Sequence, residues 1–128
     1  MMLNEMFKSV LDMERSAIVL CNLNHEIVYM NPAAVKRYEN RGGAELLGKS
    51  LLNCHNEASN RIINEVIEWF GKSPENNMIY TYKNVKENKD VYMVALRDEG
   101  QKLIGYYEKH EYRNAETVGL YDFSKSLV

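Results

Sequence analysis

A short segment near the start of the chain constrains the fold more firmly than any other. Residues 22–25 read Asn-Leu-Asn-His, a turn-forming run between two apolar stretches, 17–21 and 27–30. This spacing predicts an antiparallel hairpin. Asn31 and Pro32 then predict a helix start, because proline loses no hydrogen bond in the first turn and asparagine caps exposed N–H groups. The chain therefore opens with a hairpin that leads directly into a helix.

The rest of the pattern predicts three helical segments and three strands. The helical segments cover 32–38, 44–47 and a longer stretch that begins near residue 56. The long helix carries one apolar stripe and is expected to end at Gly71, before Pro74. Tyr, Val and Ile dominate the predicted strands at 78–85, 91–96 and 103–112. We therefore expect an α+β fold, a five-stranded antiparallel sheet with helices on one face.

Composition excludes several classes of function. The 128 residues carry a net charge of −2, which gives no basic surface for nucleic acid. Two cysteines, Cys21 and Cys54, form no disulfide framework and have no zinc-site spacing. Neither a signal peptide nor a membrane-spanning apolar run is present in this sequence. We expect a reduced, cytoplasmic protein without membrane or nucleic-acid partners, and no enzyme constellation is present.

The hairpin, Asn-Pro-Ala-Ala at 31–34 and Leu-Leu-Gly-Lys at 46–49 together resemble the opening half of a PAS domain. The resemblance covers about residues 16–112, preceded by an amphipathic helix at 1–15 and followed by a tail at 113–128. It implies a small sensor and dimerisation module in signal transduction, usually not an enzyme. Residues 48–59 and the hairpin motifs at 97–99 and 105–108 are similar to the PAS domain that follows a hemerythrin-like domain in a prokaryotic family. Asn56-Glu57 replaces the Pro-Pro of that family here, and we expect no attached hemerythrin-like domain.

The sharpest candidate for chemistry is Asn53-Cys54-His55, just before the long helix. A thiol beside an imidazole near a helix N-terminus favours a cysteine with a lowered pKa, and His55 is a possible ligand for haem or another metal. The alternative is structural, with Asn53 and His55 capping backbone groups while Cys54 packs as an apolar residue. The flavin-contacting run of PAS photosensors is missing after Cys54, and Met30 and Ala34 replace the groups that hold coumarate in yellow photoreceptors.

The resemblance also implies a cavity between the sheet and the long helix. Val28 and Met30 are two residues apart on the second strand and are expected to share its inner face. With these two residues, the candidate pocket comprises Cys54, His55, Ile62 and Val66. Such a pocket suits a small apolar ligand. A filled core without a ligand is the alternative, and His25 and His110 are expected to be solvated.

Both ends of the chain carry apolar residues whose partners the sequence leaves open. Met2, Met6, Phe7 and Val10 recur at helical spacing and predict either a dimer contact or a lid on the domain's own core. The tail is either packed or a partner-binding peptide. We therefore expect a stand-alone, non-catalytic sensor, a homodimer that signals through a separate effector protein. The alternatives are a haem or metal sensor that uses His55, and a ligand-free dimerisation module.

Overall fold

The computed structural model describes residues 2–124, apart from the side chain of Cys54. The helices are α1 (Met2–Met13), α2 (Pro32–Arg37) and α3 (Glu57–Lys72), and three short 3-10 turns cover Glu39–Arg41, Gly43–Leu46 and Leu51–Cys54. The strands are β1 (Val19–Asn22), β2 (Ile27–Met30), β3 (Met78–Asn84), β4 (Lys89–Arg97) and β5 (Leu103–Tyr112). They form one antiparallel sheet in the order β2-β1-β5-β4-β3. The predicted α+β fold and its element order are confirmed.

Strands β1 and β5 meet at a position where only a glycine fits. Gly105 on β5 pairs with Asn22 on β1. A Cβ atom built at Gly105 would lie 2.3 Å from the carbonyl oxygen of Cys21, closer than any side chain permits. A side chain at this position would therefore push β1 away from β5.

A β-bulge corrects the predicted inner face of β2. Leu20 pairs with Tyr29 and Cys21 pairs with Ile27, which leaves Val28 without an opposite residue. The bulge resets the alternation, so Ile27 and Met30 are buried while Val28 is 57% exposed. The expectation that Val28 and Met30 share one face is therefore wrong.

Helix α3 covers the sheet through Ile63, Val66 and Phe70, which are buried. Ile62 was expected to face the sheet with them, but it lies beside this stripe and is 45% exposed. The helix runs one residue past Gly71, to Lys72. Its C-terminal end is bonded by a side chain from β4. The Arg97 Nη2 atom donates to the carbonyls of Phe70, Ser73 and Asn76 at 2.8–3.1 Å. These bonds satisfy carbonyls at and after the end of the helix, where no helical partner exists.

Helix α1 contacts the rest of the domain through its last turn. The Tyr29 hydroxyl donates to the Asp12 carboxylate, and Leu11 contributes a backbone carbonyl to the Asn31 side chain. Residues 2–10 are exposed, so the predicted lid over the domain's own core is wrong. Residues 113–124 are exposed too, which excludes a packed tail over that range. No helix within residues 2–124 is long and apolar enough to cross a membrane.

The Asn31 side chain joins three segments of the chain and is 0% exposed. Its Oδ1 atom accepts from the backbone N–H of Ala34 at 2.9 Å, as a helix cap, and from Ile18 at 2.8 Å. Its Nδ2 atom donates to the carbonyls of Leu11 and Ser16, both at 3.0 Å. An asparagine is required because it supplies acceptor and donor from one planar group.

We predict that Asn31→Asp destabilises the protein by about 3 kcal/mol, measured by urea unfolding. Although Asp and Asn cap helices equally well, a carboxylate at Asn31 would face two carbonyls without a proton to donate. Asn56→Asp is the matched control, because Asn56 caps α3 through an exposed bond to the Ser59 N–H alone. The Asn56 change should be nearly neutral. Equal losses in the two variants would contradict the role given to the Asn31 amide.

Candidate functional site

Two adjoining cavities lie between the inner face of the sheet and the helices. The smaller cavity has a volume of about 100 Å³ and has apolar walls from β1, β2 and the 3-10 turns. The larger cavity has a volume of about 320 Å³ and lies between α3 and strands β3 and β4. Its apolar wall is formed by Ile62, Ile63, Tyr82, Val91 and Met93. Tyr38, His55, Glu108 and His110 line both cavities, so these four residues mark where the cavities meet.

The 3-10 turn before α3 places His55 on this shared wall. The His55 Nδ1 atom lies 3.0 Å from the Leu51 carbonyl oxygen, within hydrogen-bond distance. If Nδ1 carries the proton, it donates to that carbonyl and Nε2 remains available to accept. His55 thus lies beside a cavity and also bonds to the backbone, two features that the sequence analysis treated as alternatives.

His110 is buried at the same junction, contrary to the expected solvated histidine. Its side chain is 9% exposed, and among the described residues its buried Nδ1 atom has no hydrogen-bond partner. The Nε2 atom lies 3.9 Å from a carboxylate oxygen of Glu108. Burial, assisted by the nearby charges of Lys89 and Arg37, lowers the pKa of His110 to about 4. The imidazole is therefore neutral at pH 7.

A charged cluster flanks the larger cavity. The Arg37 guanidinium donates two parallel hydrogen bonds to the Glu87 carboxylate, both 3.1 Å long. Lys89 Nζ lies 3.4 Å from the same carboxylate, and Asn84 donates to it at 2.8 Å. The bonds from Arg37, with the charge of Lys89, lower the pKa of Glu87 to about 2. Lys89 itself is only 2% exposed and lies over the ring of Tyr112.

Sequence reasoning missed this cluster. The charged run at 86–90 is typical of a solvated turn between two strands. Nothing in the run itself indicates that Glu87 and Lys89 belong to a charged cluster. Arg37 lies fifty positions away along the chain, and only the folded sheet brings it to Glu87.

His25 also has a defined partner instead of being solvated. Its Nδ1 atom lies 2.8 Å from the Tyr106 hydroxyl, and the two rings meet edge to face. Burial, with a contribution from Cys21, raises the pKa of Tyr106 far above its usual value. Of this pair, Tyr106 lines the smaller cavity, and the contact with His25 holds its hydroxyl in place.

The predicted pocket residues divide between the cavities and other surroundings. Met30 and His55 line the smaller cavity, and His55 and Ile62 line the larger one. Val66 belongs to the packed core and lines neither cavity. Val28 lies outside, at the bulge, and the side chain of Cys54 lies outside the described residues.

For a haem or metal ligand, the histidines beside the two cavities are His55 and His110, since helix α3 carries no histidine along its length. Among the described residues, no group of three His, Cys, Asp or Glu side chains is placed to hold a metal ion.

The His110 environment predicts a specific loss of stability in mild acid. The unfolded chain takes up a proton near the ordinary pKa of 6.5, whereas the folded protein resists protonation until about 4. Lowering the pH from about 7.5 to about 5 should therefore cost about 2 kcal/mol of unfolding free energy. Glu87 contributes below this window, because its lowered pKa affects stability only as pH falls under 4.5.

Chemical unfolding of the wild type and of His110→Phe at both pH values measures this effect. Phenylalanine keeps a buried ring but cannot titrate, so the variant should lose about 2 kcal/mol less stability between the two pH values. Equal losses in both proteins would contradict the assignment.

Comparison with known proteins agrees with this architecture. The sequence matches the family described as PAS domain over residues 15–108. A search of curated proteins finds no match. A C-terminal domain from Streptococcus mutans is similar in structure, with a TM-score of 0.63, 19% identity, and coverage of 85% of this chain and 84% of that one.

Two further solved structures share the fold. The PAS domain of a protein from Colwellia psychrerythraea has a TM-score of 0.62 at 14% identity, covering 87% of this chain and 97% of that chain. The Aer2 receptor from Vibrio cholerae, a dual PAS-heme oxygen sensor, has a TM-score of 0.51 at 18% identity, covering 73% and 90%. The family match spans most of the sequence: the chain belongs to the PAS domain family, whose members serve as sensor and signalling modules.

Proposed function

We propose that this PAS domain is a non-catalytic sensor that binds a small molecule in the two adjoining cavities. The observation that carries the proposal is the junction at Tyr38, His55, Glu108 and His110, where polar side chains meet open space within apolar walls. A few convergent polar groups in an apolar cleft are typical of small-molecule sites. The oxygen-sensing role of the Aer2 receptor supports a sensory use of this fold.

The unpaired Nδ1 atom of His110 favours a bound ligand over an empty structural module. A buried polar atom without a partner costs free energy, and few are retained in native structures. A ligand-free dimerisation module would be expected to fill the space beside His110, because native interiors pack to a density of about 0.75. The larger cavity, at about 320 Å³, is instead within the range of small-molecule sites.

Bulk added to the cavity wall should be tolerated where bulk added to the core is not. Val91 lines the larger cavity, whereas Val66 is packed against the core. We predict that Val91→Phe fills part of the cavity and loses less than about 1 kcal/mol of stability, while Val66→Phe loses about 1–3 kcal/mol by overpacking. Urea unfolding measures both variants.

Native mass spectrometry of the same proteins tests the ligand directly. The wild type should retain a small molecule that Val91→Phe has lost. If Val91→Phe is as unstable as Val66→Phe, and the wild type carries no added mass under gentle ionisation, the cavity has no sensory role.

A second function, homodimerisation, is favoured by helix α1. The side chains of Met2, Leu3, Met6, Phe7, Val10 and Met13 are all more than half exposed. A twelve-residue helix is marginal in water by itself, and most helices gain their stability by burying an apolar face. If α1 of a second copy packed against this apolar face, each copy would cover the face of the other, as in a symmetric dimer. We therefore propose that α1 pairs with α1 of another copy.

We predict that Phe7→Glu converts a dimer into a monomer, because a carboxylate buried in an apolar interface is not compensated there. Light scattering at micromolar concentration gives the mass in solution. Ser9→Glu is the matched control, since Ser9 is exposed and lies two residues after Phe7, on the opposite side of α1. It adds the same charge and should leave the dimer intact. A wild type that is monomeric, or a Phe7→Glu variant that stays dimeric, would contradict the α1 interface.

A further inference from the structure

We infer that the larger cavity takes a small carboxylate with an apolar body and that Lys89 is its counter-charge. This inference rests on the proposed small-molecule site and names the chemical class of its ligand. The cavity wall contains Lys89 and Arg37 together with the polar side chains of Ser59, Thr81 and Asn84.

Among the described residues, the two cations at this cavity share one carboxylate partner. Arg37 and Glu87 already form a complete bidentate pair. Lys89 lies 3.4 Å from the same carboxylate, so one acid serves two cations. The remaining acid on the wall, Glu108, lies next to His110, and no ion pair joins it to Lys89 or Arg37 among the described residues. Lys89 therefore shares its acidic partner with Arg37, and no second carboxylate lies within ion-pair distance of it among the described residues.

The burial of Lys89 makes this shared pairing costly. At 2% exposure its ammonium is removed from water, and a buried charge requires a partner and hydrogen bonds. The Tyr112 ring, 5.3 Å from Nζ, supplies a cation–π contact but no hydrogen-bond acceptor. An ammonium has three N–H donors, and Glu87 faces it from one direction. A ligand carboxylate in the cavity would supply the missing acceptor.

The remaining walls select the body of the ligand. Ile62, Ile63, Val91 and Met93 offer hydrocarbon contact, and Tyr82 adds an aromatic face. Buried and uncharged at pH 7, His110 adds ring nitrogens to this wall but no positive charge, so the cations of the wall are Lys89 and Arg37. This set of contacts fits a single carboxylate joined to an apolar group better than a free, fully hydrated inorganic anion.

Benzoate and benzamide separate the charge from the shape of the ligand, because the two probes are nearly isosteric. Titration of the full-length, isotope-labelled protein with each probe, followed by amide chemical shifts, gives both affinity and location. We expect benzoate to bind at least tenfold more tightly than benzamide, with the largest shifts on β3, β4 and the start of α3. Equal affinities of the two probes for the cavity, or benzamide shifts at the cavity with benzoate shifts confined to other surfaces, would overturn the inference and leave the small-molecule site standing. If neither probe shifts the cavity residues, the proposed function fails with it.

Two substitutions should move the preference in opposite directions. Lys89→Met leaves the Arg37–Glu87 pair intact and should abolish the preference for benzoate. Glu87→Gln removes the competing carboxylate and should increase benzoate affinity several-fold. Lys83→Met is the matched control, since Lys83 pairs with Asp90 on an exposed part of the sheet and does not line the cavity. A benzoate preference that survives Lys89→Met, or a Lys83→Met variant that loses it, would overturn the role of Lys89. If Lys89→Met does not fold, the wild-type comparison of the two probes still decides the inference.

Discussion

The buried amide of Asn31 is the contact on which the arrangement of the other elements depends. Through one side chain, the end of α1, the segment before β1 and the start of α2 are fixed relative to each other. The two bonds to Oδ1 supply a partner to the buried backbone N–H groups of Ile18 and Ala34. Because α2 leads directly to Tyr38 on the cavity wall, this amide also sets the position of one side of the candidate site.

A second anchor holds the opposite end of the domain, and the cavities lie between the two. Arg97 at the end of β4 fixes the last turn of α3, while Phe70, Val66 and Ile63 close the core beneath that helix. Near the N-terminal end of α3, Ile62 lies beside the buried stripe and is partly exposed at the wall of the larger cavity. A domain secured at both ends tolerates open space in its middle, where polar side chains from β4 and β5 remain available to a ligand.

The sequence predicted the parts of the fold that depend on neighbours along the chain. The hairpin, the capped start of α2 and the stripe of α3 follow from local turn chemistry and periodicity, and all are present. The wrong assignments concern residues whose surroundings depend on register. A single β-bulge turns Val28 away from the inner face of β2. The burial of His110 depends on the pairing of β5 with β4. The Arg37–Glu87 pair joins segments far apart in sequence, so no local pattern identifies it.

The same long-range pair gives the cavity a continuous physical connection to α1. Lys89 on the cavity wall shares the Glu87 carboxylate with Arg37, and Arg37 is the last residue of α2. Helix α2 begins beside Asn31, whose amide also holds the last turn of α1. A ligand anion that competes with Glu87 for Lys89 would change the contacts at one end of this series. It would shift α1 only to the extent that it binds two positions of α2 with different affinity, because binding energy alone, without that difference, moves no equilibrium. The difference in ligand affinity between the two α2 positions, more than the affinity itself, therefore determines whether binding in the cavity becomes a signal at α1.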